Sequence, residues 1–134
     1  MIGVDTNVIV RLLVVDDEKQ AKAAGRYLKE HCSGDEPALL SDIVLVESAW
    51  VLEDLYDYSR VQIAEAIEGL LATAQLRAAN ASAVTTALHL YRSNSADFAD
   101  CLLGVTNSEA GCEFTATFDR KASKLSQFKL ITVP

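Results

Sequence analysis

An α/β domain, with a mainly parallel sheet lying between layers of helices, is the fold class this sequence predicts. Two observations predict it. Short apolar runs alternate with longer helical stretches along the whole chain, and half of the 134 residues are hydrophobic while 23% are charged. Alternation of this kind places helical crossovers between strands, and the right-handed twist of strands makes the connected strands parallel. One domain over residues 1–134 is expected, long enough to bury a core of its own. The sequence shows no internal repeat, low-complexity tract or linker.

The elements follow in order. "MIGV" reads as a short buried strand, and a helix begins near Val8. "EKQAKAAGRYLKEHC" has the spacing of an amphipathic helix, with Ala21, Ala24, Leu28 and Tyr27 on its inward side. "PALLS" opens with Pro37 and reads as the second strand, and "DIVLVESAWVLEDLY" is a strongly apolar helix closed by the turn-like "DYS". Ser59 and Gln62 form a capping-box signature at the head of "RVQIAEAIEGLLATA". "QLRAA" is a candidate third strand and "SAVTTALHLYRS" another helix. "NSADFADCLLGVTNSEAG" reads as a helix approached through a loop at residues 94–95 and stopped at Gly111. "CEFTATF" is rich in aromatic and β-branched residues and predicts a strand; "DRKASKLS" supplies a short helix and "KLITV" a last strand.

Composition excludes several functions. The longest stretch without a charged residue, 78–91, is too short and too polar to span a bilayer. The N-terminus lacks the basic, apolar and small-residue segments of a signal peptide, so a cytoplasmic location is expected. Three cysteines (Cys32, Cys101, Cys112) with no C-x-x-C pair, and two histidines, argue against zinc. A net charge of −7 argues against a passive nucleic-acid binder. The distribution tempers this, because Arg11, Lys19, Lys22, Arg26 and Lys29 crowd the first thirty positions and Arg120, Lys121, Lys124 and Lys129 the last fifteen. Basic patches and scattered solvated charge are both consistent with that pattern.

The acidic residues carry the chemistry. Asp5 follows the first strand directly, either as the cap of the next helix or as a functional acid. Glu47 lies within "IVLVESAWVL" at helical spacing from Ile43, Val44, Trp50 and Val51, where a solvated glutamate is unexpected. A buried salt bridge or an edge position would also account for it. Asp97 and Asp100 share one helix face, as site acids or as first-turn stabilisers, and Asp119 follows "FTATF" at a strand's carboxyl end, where it could cap the next helix. Ligands of doubly wound sheets gather beyond the carboxyl ends of the strands. Four or five carboxylates brought to one end could not all stay ionised without cations, and hard oxygen ligands select Mg²⁺ or Mn²⁺.

"VDTNVIVRLL", "VESAWVL" and "ADFADCLLGVTNSEAGCEFTATFDRKA", in this order and over essentially the whole chain, resemble the PIN-domain nucleases, in particular the VapC-type toxins of bacterial toxin–antitoxin pairs. The resemblance implies that the family's four acidic positions fall on Asp5, Glu47, Asp100 and Asp119, with Asp97 an additional acid one turn earlier. Asp100 rather than Asp97 matches the acid of the family's "D-x-L-L/I" pattern, and Thr6, Asn7 and Thr117 match polar positions flanking the site. It further implies a three-layer α/β/α domain with a five-stranded parallel sheet, a homodimer, and a cognate antitoxin. The antitoxin would place Arg or Lys in the acidic pocket, where a guanidinium can pair with carboxylates.

The reaction expected is endonucleolytic hydrolysis of RNA. Mg²⁺ or Mn²⁺ held by Asp5 and Asp100, with Glu47 and Asp119 nearby, would polarise the scissile phosphate and activate water, leaving 5′-phosphate and 3′-hydroxyl ends. Arg11, Arg120, Lys121 and Lys124 are candidates for phosphate contacts. A phospho-receiver is disfavoured, since its acidic pair would follow the first strand and Asp16 and Asp17 lie too far downstream. A haloacid-dehalogenase-type phosphatase would need an aspartate where Asn7 stands. A catalytically inactive PIN-like domain acting as a protein- or RNA-binding module is the remaining alternative.

Overall fold

The computed structural model describes residues 1–134, which form two compact units, Met1–Ala81 and Ser82–Pro134. In the first unit, Gly3 makes one parallel bridge to Leu39. The Leu39 N–H donates to the Ile2 carbonyl at 2.7 Å and the Val4 N–H to the Leu39 carbonyl at 3.3 Å. Strand β1 (Ala38–Leu40) pairs in parallel with β2 (Leu76–Ala78), Ala38 opposite Leu76 and Leu40 opposite Ala78. Four helices belong to this unit: α1 (Thr6–Leu13), α2 (Glu18–His31), α3 (Asp42–Tyr56) and α4 (Arg60–Leu71). Each starts on a side chain that accepts a backbone N–H, namely Asp5, Asp17, Ser41 and Ser59. At Ser59 the reciprocal bond from the Ser59 N–H to Gln62 completes the predicted capping box. Asp57, with φ 55°, ends α3 in the left-handed conformation that a short polar side chain tolerates. Ile9, Leu40, Leu45, Leu52 and Ile63 are the largest fully buried side chains here.

The second unit contains α5 (Ala81–Ser93, from its second residue), α6 (Phe98–Glu109), β3 (Thr115–Thr117), a one-turn 3₁₀ helix (Ala122–Lys124) and β4 (Phe128–Leu130). β3 and β4 are parallel, Thr115 opposite Phe128 and Thr117 opposite Leu130. Tyr91 and Phe98 meet edge to face, ring centroids 5.9 Å apart, the arrangement that ring quadrupoles favour. Gly111 follows α6 with φ 99°, a conformation open to glycine. Asn107 Nδ2 donates to Thr115 Oγ1 at 3.0 Å, tying α6 to β3.

Several expectations are corrected. The strands pair as β1 with β2 in the first unit and β3 with β4 in the second, two parallel pairs in place of five strands. Every strand is only three residues long, and the strand expected at "MIGV" is reduced to the Gly3 bridge. Helix α4 stops at Leu71, where the Thr73 hydroxyl turns back to the Gly69 carbonyl at 2.8 Å. "DRKASKLS" makes one 3₁₀ turn, and the last strand begins at Phe128 and ends at Leu130. On α2 only Leu28 is buried; Ala21 and Ala24 are half-buried and Tyr27 is exposed. No helix is long and apolar enough to cross a membrane.

Candidate active site

In the first unit, Asp5 is the cap of α1. Its Oδ1 accepts the Val8 N–H at 3.2 Å, while the exposed side chain keeps its second oxygen free for a ligand. The two roles considered for Asp5 are therefore compatible. The next residue, Thr6, donates its hydroxyl to Glu47 Oε1 at 3.1 Å, linking α1 to α3. Asn7 is exposed beside it.

Glu47 does not sit on the core stripe of α3. The buried residues of that helix are Val44, Leu45, Ser48, Ala49 and Leu52, whereas Ile43 is 67% and Trp50 49% exposed. Glu47 shares the outer face with these two and is itself exposed. Apolar residues are spread around the whole circumference of this helix, so its amphipathic signal is weak and spacing alone does not say which side is buried. Its exposure is at odds with a buried salt bridge and leaves the carboxylate open to a ligand.

In the second unit, Asp97 caps α6 by position but its side chain makes no capping bond. Asp100, in the first turn, is half-buried. Burial first, and then the negative charges of Asp119 and Asp97, push its carboxyl above the ordinary aspartate value. Asp119 is held by its own loop: Oδ1 accepts the Lys121 N–H at 2.8 Å and the Ala122 N–H at 3.0 Å. Thr117, at the end of β3, accepts the Asp119 N–H on its hydroxyl at 3.0 Å. Asp97, Asp119, Arg120 and Lys121 line an open pocket of about 470 Å³. The exposed Lys124 closes the adjoining 3₁₀ turn. An apolar groove of about 410 Å³ in the first unit, lined by Leu12, Leu13, Leu28, Leu70 and Leu76, contains no carboxylate and offers nothing for hydrolysis.

The donor set suits a hard divalent cation. Asp97, Asp100 and Asp119 present only carboxylate oxygens, and a cation would offset both the burial of the Asp100 carboxylate and its repulsion by the other two. No group of three or more His, Cys, Asp or Glu side chains is already gathered closely enough to grip a metal.

Arg11, a candidate phosphate contact, is engaged within the first unit. Its guanidinium reaches Gln20 Oε1 at 2.6 Å and Asp16 Oδ1 at 2.9 Å, and the Tyr56 hydroxyl donates to Asp16 Oδ2 at 2.6 Å. That hydrogen bond, followed by the charge of Arg11, holds the Asp16 carboxyl below its ordinary value. Sequence reasoning did not find this cluster, whose bonded pairs are 5 to 45 positions apart with no shared periodicity. It also missed the Asn107–Thr115 link, for which an asparagine late in an apolar helix was the available signal.

Among characterised proteins the chain is similar to a VapC ribonuclease of Aquifex aeolicus (strain VF5), 26% identical over 127 residues that span 95% of this chain and 93% of that protein. The family model described as PIN domain matches residues 2–127. With nearly its whole length matched in this way, the chain belongs to the PIN domain family.

Proposed function

We propose that this PIN domain, acting as one domain over residues 1–134, is a metal-dependent endoribonuclease and the toxin of a toxin–antitoxin pair. The observation that carries the reading is the state of Asp100: half-buried beside Asp119 and Asp97, with burial first and those two negative charges second raising its carboxyl above the ordinary value. Membership of the PIN family and the similarity to a VapC ribonuclease support it. Asp5, Glu47, Asp100 and Asp119 are assigned as the residues that hold Mg²⁺ or Mn²⁺, with Asp97 in support. Such an ion, when bound, offsets charge on a scissile phosphate and makes water a better nucleophile.

The chain's own residues do the remainder. Thr6 fixes the Glu47 carboxylate through the 3.1 Å bond, and the Lys121 and Ala122 N–H groups with Thr117 fix the turn that presents Asp119. Asn7 is assigned to orient a carboxylate or water. Arg120 and Lys121 line the pocket that Asp97 and Asp119 share, where their charges can take phosphate oxygens, with Lys124 one turn on. No histidine belongs to this set, so hydrolysis by water, leaving 5′-phosphate and 3′-hydroxyl ends, is favoured over attack by the RNA 2′-hydroxyl. The partners that go with this reading are RNA, a second copy of the chain, and an antitoxin presenting Arg or Lys to the carboxylates, all in the cytoplasm.

The test is cleavage of a mixed RNA pool by the purified chain with Mg²⁺ or Mn²⁺, followed by mapping of the ends. Cleavage abolished by EDTA and by Asp100→Asn, with 5′-phosphate products, is expected; 2′,3′-cyclic phosphates would overturn the mechanism. The second reading, a binding module without activity, draws on the lack of a preformed three-ligand cage. It predicts RNA or protein binding with no cleavage at any metal concentration.

A further inference from the structure

The outer face of α2 (Glu18–His31) carries Lys19, Lys22, Arg26 and Lys29, spaced three, four and three residues apart. At 3.6 residues per turn these four fall within a sector of about 80° and a rise of about 15 Å. All four are exposed, and none enters an ion pair or side-chain hydrogen bond. The opposite side of the helix supplies buried Leu28 with half-buried Ala21, Ala24 and Gly25, so packing determines that the basic side faces outward. A third of the chain's 12 basic residues thus form one row on a protein of net charge −7; exposed Glu18 and Glu30 stand beside it, four residues from Lys22 and Arg26, and leave this face of the helix net positive.

We propose that this row is a docking surface for the phosphate backbone of single-stranded RNA, holding the substrate outside the region where it is cut. The proposal rests on the ribonuclease reading and extends it to a surface that carries none of the assigned carboxylates. Charge complementarity selects the occupant. A protein partner would want an apolar or aromatic centre to bury; such surface lies beside the row, in the groove that Lys29 shares with Leu28 and Leu70 and at exposed Tyr27, and not among the four cations themselves. A polyanion needs nothing else, because its affinity comes from released counterions. The row is also held firmly. Gln20 of α2 and the preceding Asp16 both grip Arg11 of α1, the helix that Asp5 caps. RNA lying along α2 would therefore meet a helix fixed to the one that begins at Asp5. The four cations act in binding, without contact with the reacting atoms.

The experiment measures binding of a fluorescein-labelled single-stranded 20-mer RNA to the full chain by anisotropy, in EDTA, across a salt series. It compares wild type with a variant in which Lys19, Lys22, Arg26 and Lys29 are all glutamine, which keeps helix propensity. The slope of log Kd against log[salt] is expected to fall by roughly 2–3, at about 0.7 per cation on a single strand. KM for cleavage rises in parallel with kcat unchanged, and replacing the three lysines by arginine restores the slope. An unchanged slope and KM in the glutamine variant, while it still cleaves, overturns the proposal and leaves the ribonuclease reading standing. Loss of an acidic protein partner with RNA affinity intact overturns it in favour of a protein surface. Wild-type protein that neither binds nor cleaves RNA refutes the ribonuclease reading itself, and the proposal with it.

Discussion

Gly104→Ala is expected to destabilise the protein even though alanine is the better helix former. Gly104 lies in α6, four residues after Asp100 and so on the same face. A Cβ at this position would stand 2.5 Å from Phe128 Cε2, 3.2 Å from Gln127 Cβ and 3.3 Å from Phe128 Cδ2. Carbon atoms prefer about 3.5–4.0 Å, so the nearest contact is short by roughly 1 Å. Phe128 is buried and sits on β4 paired with β3, which leaves its ring little room to retreat. Overpacking of this kind costs about 1–3 kcal/mol, and replacing a helical glycine returns about 1 kcal/mol. A net loss of about 1 kcal/mol, or roughly 3–5 °C in Tm for a chain of this size, follows. Gly69→Ala in α4 is the control: nothing lies within 4 Å of the added Cβ, and stability should rise by up to about 1 kcal/mol. Circular-dichroism melts of both variants decide the matter, and a Gly104→Ala protein as stable as wild type would refute the packing argument. Because α6 also carries Asp97 and Asp100, the same variant should cleave RNA more slowly; Phe128→Leu in the same chain should recover part of both losses.

Asp100→Asn should raise Tm at neutral pH while abolishing cleavage. A carboxyl whose pKa is raised on folding lowers stability as pH rises from the unfolded value through the folded one, so the penalty is absent in acid and present above the folded value. Melts between pH 3 and 8 (the range about the aspartate pKa) should show the gain in the variant vanish in acid; a gain that persists there would exclude the electrostatic cause. Thr6→Val removes the bond to Glu47 and should slow cleavage roughly 10–100-fold, as loss of a ligand-orienting partner does, with little change in Tm. Thr6→Ser should retain activity, which separates orientation from packing in a single-turnover assay. Tyr56→Phe should let the Asp16 pKa rise, followed by NMR titration, because the Tyr56 hydrogen bond is the main cause of its depression. The stability that this depression supplies is present above the unfolded aspartate value and lost as pH falls through the folded one, so the variant should lose less stability on acidification than wild type.

Local rules reach far along this chain. Ser59 and Gln62 announce a capping box that forms, "DYS" marks a turn that Asp57 makes in the left-handed region, and Gly111 stops α6 as a left-handed glycine does. These devices act between residues a few positions apart, so their energetics are written in the sequence nearby. The acids at Asp5, Asp97, Asp100 and Asp119 were legible for the same reason, each placed just after a strand or at a helix start.

The sequence by itself thus determined the α/β class, the order of the elements, their caps and which carboxylates stand at element ends. Tertiary structure decided the rest. It turned Glu47 to the outer face of α3, because a helix whose apolar residues are spread around its circumference takes its orientation from what it packs against. It reduced the expected sheet to two short parallel pairs, since pairing depends on partners distant in the chain. Arg11 was drawn into a cluster with Asp16, Gln20 and Tyr56, and Asp100 was given its raised affinity for a proton. Hydrogen bonds between distant side chains set the first outcome, burial and through-space charge the second, and none of these is a property of neighbours in sequence.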